Sequence, residues 1–187
     1  MRLRREFSGL TSGFDIPKNH FQLFGLEPAF AIDIAKLERE FRALQAQVHP
    51  DKSAHLDDAS QRLAMQRSTL VNEAYQTLKS PIARARYLLS MHGVDTQEET
   101  NTAMPVDFLM AQMERREALE EAVKARDVDE LERIEARMKT DTRTLEAELA
   151  ASIDADRDYA AAAGLVRKLR FMEKLAEEID SAYNETD

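Results

Sequence analysis

A proline fixes the first firm boundary in this chain. Ile34, Leu37, Phe41, Leu44 and Val48 recur at offsets of 0, 3, 7, 10 and 14 residues, which stacks them along one face of a helix. Asp33 stands just before them as an N-cap. The helix has to stop short of Pro50, because proline drives the residue before it out of helical backbone. After a polar stretch, 51–58, a further helix is predicted from about Asp58 to Lys79, with Leu63, Leu70, Val71, Ala74 and Leu78 inward. So short a connection makes the two helices antiparallel. The chain therefore begins its architecture with a helical hairpin.

Composition extends that reading to the whole chain. Aromatic residues make up 6%, there is no Trp, and five Gly and five Pro are spread over 187 residues. Such a mix favours helices and is too poor in turn formers and β-branched residues for a sandwich or barrel. The fold class expected is all-α. The absence of Cys removes disulfides, thiolate nucleophiles and Cys-ligated zinc or iron–sulfur centres. No apolar run is long enough for a membrane span, and the mean hydropathy is -0.51. The opening MRLRREFSGLTSGF lacks the apolar stretch of a secretory signal. A cytoplasmic protein is expected, with an organellar presequence the weaker alternative.

The net charge of -9 is unequally shared. Residues 1–93 hold 13 Lys+Arg and 10 Asp+Glu, while residues 94–187 hold 13 and 25. Two modules with different partners are implied, and neither has the basic footprint that nucleic acid requires. The reading along the chain is a lead-in over 1–17, a first domain over 18–93, a polar linker over 94–103 and a second domain over 104–187. In the first domain, a short helix around Lys18–Phe24 precedes the hairpin. Ser80-Pro81 breaks the hairpin's second helix, and Ala83–Met91 forms a further short one. In the second domain, helices are predicted from Pro105 to about Arg126, from Asp127 to about Ala151, and from Asp156 to Tyr183. The last carries Leu165, Leu169, Met172, Ala176 and Ile179 on one stripe, and Gly164 within it costs about 1 kcal/mol relative to Ala. Three helices with short connections make an antiparallel bundle.

The residues richest in chemistry lie in the hairpin's turn, Val48-His49-Pro50-Asp51-Lys52. His-Pro-Asp arises by chance in about one chain in a hundred of this length. Taken alone, it is also what a helix end with a stop proline and a polar turn looks like. Its position between two amphipathic helices, preceded by HFQLFGL, resembles the J domain, whose His-Pro-Asp turn activates ATP hydrolysis by DnaK-type chaperones. The segments HFQLFGL, REFRALQAQVHPDK, NEAYQTLKSPIARARYLLSMHG, FLMAQMERREALEE and VRKLRFMEKL, in that order, narrow the likeness. Together they resemble the HscB family, the J-type co-chaperones of iron–sulfur cluster assembly, over about residues 18–183. Val48 departs from the Tyr common before the motif, and a packing role is expected of it. The basic QKRFD-type motif of general J proteins is absent, in keeping with the specialised family.

The resemblance implies two sets of site residues. His49, Pro50, Asp51 and Lys52, with Lys36, Arg39 and Arg42 of the preceding helix, are expected to engage an HscA-like, DnaK-type chaperone. Asp51 would meet an Arg there through a charge-assisted bond, and the cations would steer association toward an acidic surface. A solvated basic face interleaved with Glu38 and Glu40 is the plainer alternative for those cations.

The second set is anticipated by a helical wheel. With Leu109 at zero and about 100° per residue, Phe108, Ala111, Ala118, Leu119, Ala122 and Val123 share a core-facing stripe. Leu109, Met110, Met113, Glu114, Glu117 and Glu121 fall on the other side, an apolar and acidic surface fit for a partner, unless the first domain covers it. In HscB relatives the matching positions, with Phe171 of the last helix, bind the iron–sulfur scaffold protein IscU. Met113 stands where Leu is usual, a volume-conserving exchange.

Other chemistries find little support. His49 and His55 are out of register for two ligands on one helix face, so no metal site is expected. His20 and His92 are expected to be partly buried and structural. His49, Asp51 and Ser53 on a single turn cannot supply base, orienter and nucleophile. No Gly-rich phosphate loop is present, so the chain is not expected to bind ATP. The resulting expectation is a non-enzymatic, cofactor-free adaptor that delivers an IscU-like scaffold to an HscA-like chaperone and stimulates its ATPase. A general J co-chaperone for unfolded clients, or a helical scaffold whose His-Pro-Asp is incidental, are the alternatives.

Overall fold

A computed structural model describes residues 18–48, 57–98 and 104–186, with side chains through Asn184. The described residues form seven α-helices and a single π-turn, and contain no strand. In order these are α1 (His20–Leu23), α2 (Ile34–Val48), α3 (Asp58–Lys79), α4 (Pro81–Met91), α5 (Val106–Ala125), α6 (Val128–Ala150), the π-turn Ala151–Ala155, and α7 (Tyr159–Thr186). The lead-in 1–17 and the turn holding His49, Pro50, Asp51, Lys52, Ser53 and His55 lie outside the described residues, as do residues 99–103.

Every helix except α5, which opens after Pro105 without a side-chain cap, starts where a side chain can accept the backbone N–H groups that its first turn leaves unpaired. Asn19 Oδ1 accepts from Gln22 N at 2.9 Å, Asp33 Oδ1 from Lys36 N at 2.9 Å, and Asp57 Oδ1 from Ser60 N at 2.8 Å. These bonds, from the Ser60 side chain as well as its backbone, hold the Asp57 carboxyl below its ordinary pKa. Ser80 Oγ caps α4, where Pro81 takes the first-turn position that tolerates a missing N–H. Asp127 accepts from Glu130 N at 3.0 Å and opens α6. At the far ends, Gly25 and Gly93 take positive φ after α1 and α4. Leu26 N and Val94 N then reach back to the carbonyls of Phe21 and Leu89 at 2.9 Å each.

The core of α1–α4 gathers Phe21 and Phe24 from the α1 turn, Leu37 from α2, Val71, Ala74 and Leu78 from α3, and Leu88 and Leu89 from α4. Phe41 stacks on Tyr75 with centroids 3.9 Å apart, pinning α2 to α3. Leu63, predicted inward, is 46% exposed, and Ile34 is 38% exposed. The buried residues of α3 all lie in its C-terminal half. There α4 turns back at the Ser80 corner to add a second neighbour, whereas among the described residues the first turns of α3 have no such cover.

The bundle's own core is built from Leu119 and Ala122 of α5, Leu131, Ile134 and Met138 of α6, and Met172, Leu175, Ile179 and Ala182 of α7. Gly164 sits inside α7 without breaking it. A Cβ there would meet only the Arg167 guanidinium, at an ordinary 3.8 Å.

The two helical groups share apolar packing. Leu149, Ile153, Ala162, Ala163, Val166 and Leu169, from α6, the π-turn and α7, belong to the same buried cluster as Phe21 and Leu89. The π-turn was not foreseen from the sequence, which predicted the last helix from Asp156 rather than Tyr159. In this turn Asp156 N bonds to the carbonyl of Ala151 at 2.9 Å. Its Asp154 accepts the N–H groups of Phe30 and Ala31 at 2.7 and 2.9 Å, tying the loop before α2 to the bundle. Arg84 is buried beside this joint, its guanidinium 4.9 Å from the Phe30 ring centroid and donating to Leu78 O at 2.6 Å. Burial lowers its pKa, while the charges of Glu146 and Asp154 counter that effect.

The first part of the polar stretch read as a linker is also held. Val94 packs on the core, Arg167 Nη1 donates to Thr96 O at 2.9 Å, and Arg86 pairs with Glu98. His20 is half-buried and stacked on Tyr87 at 4.2 Å, as a structural histidine should be. His92 is exposed, contrary to expectation, although its ring lies 4.1 Å from that of Tyr159.

Candidate functional site

The first candidate site is the basic side of α2 leading into the His-Pro-Asp segment. α2 ends at Val48, half-buried against the core, so the helix delivers the chain directly to His49. Arg39 and Arg42 are exposed and reach Glu40 and Glu38 at 3.5 and 3.9 Å. Solvent-exposed pairs of that length contribute little to stability, so both guanidinium groups are available to a partner at small cost. Lys36 is placed differently. It is half-buried, and its Nζ donates to Gly25 O at 2.6 Å, closing the turn after α1. Of the three cations grouped by sequence, two face solvent in loose ion pairs and one also braces the fold.

The second candidate site is the outer face of α5. Leu109 is 36% exposed, Met110 57%, Met113 63% and Val106 72%. Glu114, Glu117 and Glu121 are exposed along the same side. The helix buries Gln112, Leu119 and Ala122 on the opposite side, so the first domain does not cover the apolar and acidic face. Val106 was missed in the sequence reading, yet the wheel contained it. Three residues before Leu109, it falls at about 60°, between Leu109 and Met110.

Three contacts fix the rotation of α5 about its axis. Arg116 makes a two-pronged pair with Glu178 of α7, Nε–Oε2 at 3.0 Å and Nη2–Oε1 at 2.9 Å. Arg115 pairs with Asp141 of α6, and its other nitrogen lies 3.7 Å from Met172 Sδ. At the other edge Phe108 meets Phe171 edge to face, centroids 6.0 Å apart, with Lys168 Nζ 5.7 Å from the Phe108 ring centroid. Phe171 is half-buried, so it borders the α5 face through Phe108. Among the described residues there is no cluster of His, Asp and Glu able to hold a metal ion, nor a helix long and apolar enough to cross a membrane.

The chain is 56% identical over 168 residues to the "Co-chaperone protein HscB homolog" of Chromobacterium violaceum, covering 90% of this chain and 95% of that protein. It belongs to the HscB co-chaperone family. The HscB homolog of an Azoarcus species is 49% identical over the same length and coverage. The family domain described as "HSCB C-terminal oligomerisation domain" matches residues 104–180. Among solved structures, chaperone HscB from Vibrio cholerae superposes with a TM-score of 0.78 at 37% identity, over 89% of this chain and 98% of its own. Human co-chaperone protein HscB gives 0.82 at 31% identity, over 89% and 82%. The J domain followed by a helical C-terminal bundle, expected from the resemblance, is the architecture of this family.

Proposed function

We propose that this HscB-family chain is an adaptor with two docking faces. The bundle, over 104–187, receives an IscU-like iron–sulfur scaffold on Leu109, Met110, Met113, Glu114, Glu117 and Glu121, with Phe171 at the border. The J domain, over 18–93, presents that cargo to an HscA-like, DnaK-type chaperone. His49-Pro50-Asp51 with Lys52 stimulates the chaperone's ATPase, and Arg39 and Arg42, with Lys36 beside them, steer the encounter. The chain itself makes and breaks no covalent bond in this scheme.

The observation that carries the reading is the uncovered α5 face. Four large apolar side chains are held in water beside three carboxylates, on a helix whose rotation is locked by ion pairs on both sides. Retaining such a face costs solubility unless a partner covers it. Membership of a co-chaperone family supplies the kind of partner. Calorimetric titration of the full chain with an IscU-type scaffold tests the reading. The double variant Leu109→Ala, Phe171→Ala should weaken binding by about 1–3 kcal/mol or more while the helical circular dichroism stays unchanged. Unaltered affinity removes these residues from the interface.

A further inference from the structure

Two of the four apolar side chains on the α5 face are methionines, Met110 and Met113, each more than half exposed. They lie three residues apart on one helix, so their side chains are neighbours. The chain has no cysteine and eight methionines, so thioethers are its only sulfur. From this placement we propose that Met110 and Met113 are a reversible oxidation site through which hydrogen peroxide releases the scaffold protein. The proposal rests on the docking face described above.

The chemistry is a two-electron oxygen transfer. A lone pair on the methionine sulfur attacks one oxygen of hydrogen peroxide, the S–O bond forms and the O–O bond breaks. The departing hydroxide takes the proton from the oxygen now on sulfur, leaving the sulfoxide and one water. Sulfur loses two electrons and the peroxide gains them. A thiol-dependent methionine sulfoxide reductase returns the electrons and removes the oxygen as water. Hydrogen peroxide is neutral, so the carboxylates of Glu114, Glu117 and Glu121 do not repel it, as they would an anionic oxidant.

The consequence follows from where the sulfurs sit. A sulfoxide is polar and a strong acceptor, and carrying it into an apolar contact strands that acceptor. Because both side chains point away from the bundle core, oxidation touches no packing that holds α5 in place. The buried thioethers behave oppositely. Met138 and Met172 are 6% and 2% exposed, and their oxidation requires the bundle to open. The same chain thus holds a surface pair that can be switched and a core pair whose oxidation is damage. Met65 and Met91 are exposed on α3 and α4 and serve as internal references for simple accessibility.

The test treats the full chain with graded hydrogen peroxide and maps each added oxygen by peptide mass spectrometry, alone and with bound IscU-type scaffold. Alone, Met110 and Met113 should oxidise alongside Met65 and Met91 and well before Met138 and Met172. Bound scaffold should protect Met110 and Met113 but leave the rate at Met91 unchanged. The oxidised protein should bind the scaffold at least about tenfold more weakly, with unchanged helicity, and reductase should restore affinity. Whatever affinity the variant Met110→Leu, Met113→Leu has before peroxide, it should keep after it. Oxidised wild type that binds as tightly as reduced protein overturns the proposal, as does a Leu/Leu variant that loses binding in parallel with wild type. If scaffold leaves Met110 and Met113 unprotected, the docking face itself is wrong. If it protects them and oxidation is harmless, only the switch fails.

Discussion

Asp154 and Phe30 lie 124 residues apart in the chain, yet the Asp154 carboxylate accepts the Phe30 backbone N–H at 2.7 Å. The second oxygen takes the Ala31 N–H at 2.9 Å. One side chain in the π-turn therefore satisfies the loop that leads into α2, the helix carrying Lys36, Arg39 and Arg42. The loop before α2 is tied to the bundle by this joint and by the apolar cluster beneath it. Replacing Asp154 with Ala leaves the Phe30 N–H unpaired and deprives buried Arg84 of a nearby counter-charge. Destabilisation of about 1–3 kcal/mol is expected, read from the urea midpoint. A change within a few tenths of a kcal/mol would show the joint to be ornamental.

Asp51 is expected to act only in the encounter with the chaperone. Single-turnover ATP hydrolysis by an HscA-like chaperone should rise with the wild-type chain and stay at its basal rate with Asp51→Asn. Scaffold binding, measured separately, should be the same for both. Equal stimulation by the two proteins would discard the His-Pro-Asp mechanism.

Arg39 and Arg42 are exposed and loosely paired, so their contribution should be to the rate of association. The double change to Glu should slow chaperone association and flatten its dependence on ionic strength, without altering the melting temperature. Lys36→Ala should differ by lowering stability, because its Nζ closes the turn at Gly25. A melting temperature for Lys36→Ala equal to wild type would contradict that assignment.

The His20 ring, stacked on Tyr87, has its pKa lowered by burial against the opposing pull of Glu73. The unfolded chain then binds the proton more readily than the folded one. Stability should accordingly be complete above the ordinary histidine value and fall as pH drops through it toward the lowered folded value. Urea midpoints between about pH 7.5 and 5.5 should show a decline that is smaller in His20→Phe, which keeps the stack but not the titration. Identical slopes in the two proteins would place the pH sensitivity elsewhere.

Leu131 is fully buried in the bundle core. Truncation to Ala should cost about 2–5 kcal/mol in chemical denaturation, with the J domain's helices intact.

Much of this was legible in the sequence because the signals were local. The caps Asp33 and Asp127 and the breakers Ser80-Pro81, Gly25 and Gly93 act within a few residues of themselves, so helix limits could be read to within a few residues; α4 begins at Pro81, two residues before the predicted Ala83, because Ser80 caps it. The α5 face was equally accessible, since the apolar and acidic sides of one helix are fixed by a rotation of about 100° per residue. Val106 was within reach of the same arithmetic.

What the sequence could not reveal depended on distant neighbours. Leu63 has the spacing of a core residue, but among the described residues no second helix covers it. Lys36 has the look of a steering charge but found a carbonyl eleven residues back. Thr96 and Glu98 read as linker until Arg167 and Arg86 bound them. Sequence by itself determined the helices and which side of each is apolar, because those follow from short-range spacing and capping. Only the tertiary structure decided which faces stay in water and how the J domain is held to the bundle. Those outcomes depend on Asp154, Arg84 and Arg167 meeting groups far along the chain, which no local pattern records.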